Sequence, residues 1–388
     1  METLPPDVTS EILSRLPVES IFECKRVSKT WRALFRHVKA EIKEMGILFS
    51  IGLDGGETGS NGRLYYGELR QTDHGMNIDH WRCCYKTPTR IDHPTVNNKR
   101  NGTDPMVGSC NGLVCFTAPH SGIQDPVYIC NPFTKEYTYL QRITCQGGFI
   151  VSGFGYHHST NEYKVVRIYY SGDQHSMGQV QVYTLGHESE WRNKGEITYS
   201  FRESPAILAN GALHWLDDKE WNIVAFDLAD EEFRLLPSPP CFRLGGKLTS
   251  SYQLQVLGGY LSVVHQEPGD RVDIWSFKMN SNYDLNEHEH HSWSWSREFS
   301  IAWEGGLEKD SYEPFALTKS NEVLLWYNTT ILSCYDPKTA TLEKIVNVGT
   351  GFKYFQAIPH IKSFVSLEAL GELTKIRRYR VRRFSEGD

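Results

Sequence analysis

The 388-residue chain contains no apolar run approaching the ~18 residues that a membrane-spanning helix needs. Met1 to Ser10 is polar and proline-bearing, without the basic start and apolar core of a secretory leader. Cysteine is present but unpatterned. Cys24, Cys83, Cys84, Cys110, Cys115, Cys130, Cys145, Cys241 and Cys334 are odd in number and irregular in spacing, which argues against a disulfide framework and for reduced thiols in the cytoplasm and/or nucleus. Without a leader, the glycosylation patterns at Asn101-Gly102-Thr103 and Asn328-Thr329-Thr330 are chance matches. Also missing are a Gly-x-Ser-x-Gly elbow and any glycine-rich loop set between a strand and a helix. The net charge of −6 is uneven: seven basic residues between Lys25 and Lys43 face one acid, Glu41, and six more lie between Lys375 and Arg383. The body between is therefore acidic, which excludes a broad nucleic-acid surface there.

What is plentiful is aromatic residues and glycine, with 20 Tyr, 18 Phe, 10 Trp and 32 Gly. Rings suit a pleated surface and glycine suits tight turns, so the composition points to many short strands. The first 45 residues differ. Val8, Ile12, Leu13 and Leu16 fall at helical spacing with Asp7 ahead as a cap, and Leu16-Pro17 stops that helix. Pro17 opens a second helix burying Val18, Ile21 and Phe22. Ser28 caps a third whose stripe is Trp31, Leu34, Phe35, Val38 and Ile42. Three short helices bury too little surface to stand alone, so this unit is expected to need a partner.

Leu4-Pro5, Glu11-Ile12-Leu13, Arg15-Leu16-Pro17-Val18, Ser20-Ile21 and Arg26-Val27-Ser28-Lys29-Thr30-Trp31-Arg32 resemble, in order, the F-box motif. That resemblance implies docking to a Skp-type adaptor and, through it, to a cullin scaffold. It places Leu4, Pro5, Ile12, Leu13, Leu16, Pro17, Val27 and Trp31 at the positions that form or support the adaptor surface. Four of these, Ile12, Leu16, Val27 and Trp31, are equally suited to the core of the helical unit. Glu23-Cys24-Lys25 departs from the family, where the step is commonly apolar or arginine-rich.

From Gly46 the pattern becomes short apolar or alternating runs bounded by Gly, Asn, Asp and Pro. Turn dipeptides precede strands at Asn111-Gly112, Asn161-Glu162, Asn210-Gly211, Gly258-Gly259 and Asn321-Glu322, at intervals of 50, 49, 48 and 63 residues. The polar run Asn280 to Ser292 accounts for the long interval as a loop insertion. A second strand follows each turn, and several then enter Asn- or Asp-led turns at Asn131, Asp227 and Asp336. A period near 50 with about four strands per unit predicts a kelch-like β-propeller. Five units are legible. Gly46 to Arg100 together with Phe352 to Leu367 would supply a sixth that joins the ends of the ring, with seven blades the alternative. The expected organisation is a small all-α F-box at 1–45, a six-bladed propeller-like domain at 46–370 and a basic tail at 371–388 that is either a nuclear signal or a solvated, disordered end.

Gly108-Ser-Cys-Asn-Gly-Leu-Val-Cys115, Cys130-Asn-Pro-Phe-Thr134, Gly153-Phe-Gly-Tyr156 with Tyr163-Lys-Val-Val166, and Asn210-Gly-Ala-Leu-His-Trp215 are similar to segments of the plant F-box-associated interaction domain. Beyond Leu216 the likeness rests on spacing. The resemblance implies a non-catalytic subunit of an SCF-type cullin E3 ubiquitin ligase that captures an unidentified substrate protein, with no cofactor and no membrane or nucleic-acid partner. An F-box protein acting in assembly or sequestration, and a propeller enzyme, are the alternatives. The candidates for chemistry are weak: His288-Glu289-His290-His291 lies in a polar insertion without the fixed backbone of a metal site, Cys83-Cys84 lacks further ligands, and Cys110 and Cys115 sit where buried thiols occur. No catalytic or metal residue is assigned, and no substrate-binding residue is named. Trp191, Trp221, Trp293, Trp295 and Trp303 are the aromatic candidates for a recognition face, with blade packing the competing role for each.

Overall fold

The computed structural model describes residues 45–53, 63–68, 89–91, 105–120, 123–144, 147–172, 174–187, 190–242, 251–281, 291–303, 311–318, 320–347 and 352–376, and residue 8 of the N-terminal segment. Apart from Val8, the three expected helices lie outside the described residues, as does the tail beyond 376. From Met45 onward the chain forms a six-bladed propeller.

Blade 1 takes β1 (Met45–Leu53), β2 (Arg63–Glu68) and β3 (Thr89–Ile91), and blade 2 takes β4 (Met106–Cys110), β5 (Leu113–His120), β6 (Ile123–Cys130) and β7 (Glu136–Tyr139). Blade 3 is β8 (Phe149–His157), β9 (Glu162–Ser171), β10 (Gln174–Thr184) and β11 (Arg192–Ile197). Blade 4 is β12 (Ile207–Ala209), β13 (Ala212–Leu216), β14 (Ile223–Asp227) and β15 (Phe233–Leu235). Blade 5 is β16 (Ser251–Leu257), β17 (Tyr260–Glu267), β18 (Arg271–Ser281) and β19 (His291–Ala302). Blade 6 is β20 (Tyr312–Leu317), β21 (Val323–Tyr327), β22 (Ile331–Asp336) and β23 (Thr341–Asn347). β24 (Phe352–Ile361) then pairs with β1 as the innermost strand of blade 1, and β25 (Lys375–Ile376) pairs with β7 as a fifth, outermost strand of blade 2. The ring is thus closed by strands from both ends of the domain, as the sequence suggests. Around the axis β24, β4, β8, β12, β16 and β20 each pack on the next, and β20 packs on β24.

Each blade is apolar on both faces because each is covered twice. Six separate hydrophobic clusters lie one in every gap between neighbouring blades. β13 shows the result, with all five residues of Ala-Leu-His-Trp-Leu buried. The turns repeat as regularly. Asn111, Asn161, Asn210 and Asn321 hold φ of 45 to 67° between first and second strands, a left-handed conformation that asparagine tolerates. A second turn recurs at 131–136, 217–222 and 227–232. Its leading Asn or Asp accepts backbone N–H groups on its side chain, and its fifth residue (Lys135, Trp221, Glu231) is left-handed. At Gly153 and Gly155 of β8, an added Cβ would strike Ala206 and Leu213, and Leu208 and Leu228. Close packing of blades 3 and 4 accounts for that Gly-Phe-Gly.

Two expectations shift. The run 280–292 is not wholly a loop, since β18 extends to Ser281 and β19 begins at His291. Nor does strand pairing stop at 370. Lys375 and Ile376 pair with Tyr137 and Glu136 because β7 would otherwise leave its backbone edge open.

Candidate interaction surfaces

In an up-and-down blade, first and second strands meet on one rim, here called upper, and so do third and fourth; second and third meet on the lower rim. Met45, the first residue of β1, lies opposite Ile361 at the end of β24, on the upper rim of blade 1. Whatever precedes residue 45 therefore joins the propeller on that rim. The residues expected to meet the adaptor, Leu4, Pro5, Ile12, Leu13, Leu16, Pro17, Val27 and Trp31, lie outside the described residues.

After β24 the chain crosses blades 2 and 3 as a strap. Ser363 Oγ donates to Asn111 O (2.6 Å), and Asn131 Nδ2 donates to the carbonyls of Ser363 and Val365 (3.0 and 2.9 Å). Leu367, with 0 % of its surface exposed, enters the apolar layer between the two blades. The buried Glu372 accepts from the Tyr183 hydroxyl (3.0 Å), Gly186 N (2.9 Å) and Thr138 Oγ1 (3.2 Å). The strap gives the domain edge a purpose that composition did not reveal; the apolar Val365, Leu367 and Leu370 ahead of the basic run were the available signal.

The buried polar groups are arranged for cohesion. Asp125 of β6 pairs with Arg167 of β9 at 3.1 Å, fully inside the blade 2–3 gap, and Arg167 lies 3.8 Å from the centre of the Trp191 ring. Burial raises the Asp125 carboxyl while Arg167 opposes the rise. Glu231 meets Arg192 (2.5 Å), Lys164 (2.9 Å) and Lys194 (3.1 Å), joining blade 4 to blade 3. Burial pushes the Glu231 carboxyl up, but hydrogen bonds from Arg192, Lys164 and Lys194 outweigh it and hold the pKa near 2. His360 donates to or accepts from Ser109 Oγ at 2.8 Å, and burial, then the nearby Lys362, lowers it to about 3. A serine beside so weak a base gains no nucleophilic activation.

The thiols are equally quiet: burial raises Cys110, Cys241 and Cys334 to about 12, and Cys115 and Cys130 upward as well. His288, Glu289 and His290 lie outside the described residues, as do Cys83 and Cys84. Among the described residues no group of three His, Cys, Asp or Glu side chains is placed to share a metal ion, and no helix is long and apolar enough to cross a membrane.

The five candidate tryptophans separate. Trp191 donates to Gln141 O, Trp221 lies beneath Arg202 and against Tyr252, Trp295 donates to Pro237 O and Trp303 packs on Tyr312. Trp293 remains 40 % exposed. Packing claims four, because each lies where one blade meets its neighbour.

Residues 80–368 match the family model described as the F-box associated beta propeller domain, and residues 1–43 match the F-box domain model. The chain belongs to the F-box-associated β-propeller family. It is similar to F-box protein At3g07870 of Arabidopsis thaliana, at 27% identity over 93% of this chain and 91% of the relative. It is also similar to the same plant's F-box/kelch-repeat protein At3g23880, at 26% identity over 77% and 79%, and F-box protein CPR1, at 24% over 89% and 84%. The pairing of F-box and propeller gives the chain the general character of a substrate-recognition subunit of SCF-type ubiquitin ligases, a class that is typically non-catalytic.

Proposed function

We propose that this chain docks a Skp-type adaptor through Leu4, Pro5, Ile12, Leu13, Leu16, Pro17, Val27 and Trp31, and presents a captured target protein for ubiquitination by the attached cullin ligase, working in the cytoplasm and/or nucleus. The observation that carries this reading is the abutment of the two parts. The F-box match ends at residue 43 and β1 begins at Met45 on the upper rim. The two parts are thus nearly contiguous in the sequence, which supports reading them as one unit. The ligase chemistry would then belong to other subunits, and this chain would accelerate it by holding the target close to activated ubiquitin, which raises effective concentration.

The test is co-purification with a Skp-type adaptor. Intact protein should co-elute, and the Leu16→Ala, Pro17→Ala double variant should bind at least about tenfold more weakly, since it removes buried apolar area from a small interface. Equal binding by the double variant would overturn the assignment of that surface.

A further inference from the structure

We propose that residues 235–240, where the chain leaves blade 4 for blade 5, form a polyproline ridge on the lower, outer edge of the ring, and that its partner is a protein module with an aromatic-walled groove. Such a contact is separate from adaptor docking and would bring a second protein to the assembly.

The backbone of the ridge is set by its prolines. Leu235-Leu-Pro-Ser-Pro-Pro240 starts on the last residue of β15. Proline fixes φ at about −65° and pushes the residue before it into the extended or polyproline region. Leu236, Ser238 and Pro239 each precede a proline, and Pro237 and Pro239 are prolines, so residues 236–239 are all held to that kind of backbone. They belong to no strand or helix. A polyproline chain turns once in about three residues, which gives it three edges. Exposure follows that period. Leu236 is half-buried and Pro239 buried, whereas Leu235, Pro237, Ser238 and Pro240 are exposed, Leu235 by 55 % of its surface.

The propeller grips one edge only. Leu236 and Phe242 join the apolar layer between blades 4 and 5, and the Leu236 N–H donates to Ile223 O at 2.9 Å. The Trp295 indole donates to Pro237 O at 2.6 Å, and the Phe242 N–H closes a turn on Pro239 O at 3.0 Å. These contacts fix the ridge at both ends and leave two adjacent edges open, Pro237 with Pro240 and Leu235 with Ser238. An aromatic-walled groove takes a polyproline chain by laying rings against such edges and donating to its carbonyls. Trp295 already treats the inner side in that manner. Because the ridge is ordered before it binds, little conformational entropy is lost when it is covered.

The test uses the full chain and an array of immobilised WW domains, each first shown to bind a fluorescent decaproline peptide. At least one domain should capture the chain, and excess unlabelled decaproline should release it. The Pro237→Ala, Pro240→Ala double variant removes both rings of one open edge and should weaken capture at least about tenfold. It should melt within about 3 °C of the parent, because both rings are exposed. Ser238→Arg adds bulk between the open edges without altering a proline, should weaken capture as well, and gives a second reading if the double variant folds poorly. Pro205→Ala, at an exposed proline outside any such run, should bind as the parent does. Capture by no domain, capture that decaproline does not release, or undiminished capture of either well-folded variant would each overturn the proposal. So would a dimer in sedimentation that the double variant dissolves, which would assign the ridge to a second copy of the chain.

Discussion

Glu231 shows how much one side chain can hold at a position that no local rule selects. It occupies a left-handed turn site with φ of 58°, where Lys135 and Trp221 stand in the matching turns, yet it gathers Lys164, Arg192 and Lys194 across a blade boundary. Glu231→Gln keeps the shape and removes the charge, leaving Lys164, itself only 4 % exposed, with Glu162 at 3.1 Å as its remaining carboxylate partner. The variant should lose roughly 2–3 kcal/mol at pH 7, as expected when one partner of a buried pair is removed. A carboxyl whose folded pKa is depressed stabilises above its unfolded value and loses that contribution as pH falls toward the folded one. The difference between parent and variant should therefore be full above pH 4.5 and shrink as pH drops toward 2. Urea unfolding at a series of pH values checks this; a gap that widened on acidification would contradict the sign.

Among elements, the strap from 362 to 374 does the most with the least regular structure. It has no strand of its own until Lys375, yet it bonds to the turn at Asn131, fills the blade 2–3 layer with Leu367 and seats Glu372 under Tyr183. Leu367→Ala should cost about 2–4 kcal/mol, the usual range for a buried leucine whose site cannot collapse, and differential scanning calorimetry reads it as a lowered melting temperature. Turns were the most legible elements. The Asn–Gly, Gly–Gly and Asx-led signals act through backbone conformation within four or five residues, so Asn111, Asn210, Asp227 and Asp336 could be placed from local chemistry alone. The strap was illegible for the opposite reason: Leu367 and Glu372 look like ordinary residues before a basic run, and only partners more than 180 positions away give them a role. Trp293 and Trp295 show the same limit, being two residues apart with one exposed and the other donating to Pro237.

For the molecule as a whole the governing fact is closure. β24 is the innermost strand of blade 1, inside β1, and blades 1, 2 and 6 all lean on it. A chain ending at residue 351 should fail to give a soluble monomer, whereas one ending at 376 should elute as the parent does and melt within about 2 °C of it, since it keeps every strand described for the fold. Size-exclusion chromatography with thermal melting distinguishes the two; a monomeric 351-residue product would show that the ring does not depend on its clasp. By itself the sequence determined the class of architecture, the unit period, the turn sites and the joining of residues 46–100 to 352–367, because periodicity and turn chemistry are local and a blade apolar on both faces has to be sandwiched. The structure alone decided which tryptophan stays exposed, where the ion pairs span blades and how the last residues recross the ring. Those outcomes depend on which face of each strand meets which neighbour, and that relation exists only once the ring has closed.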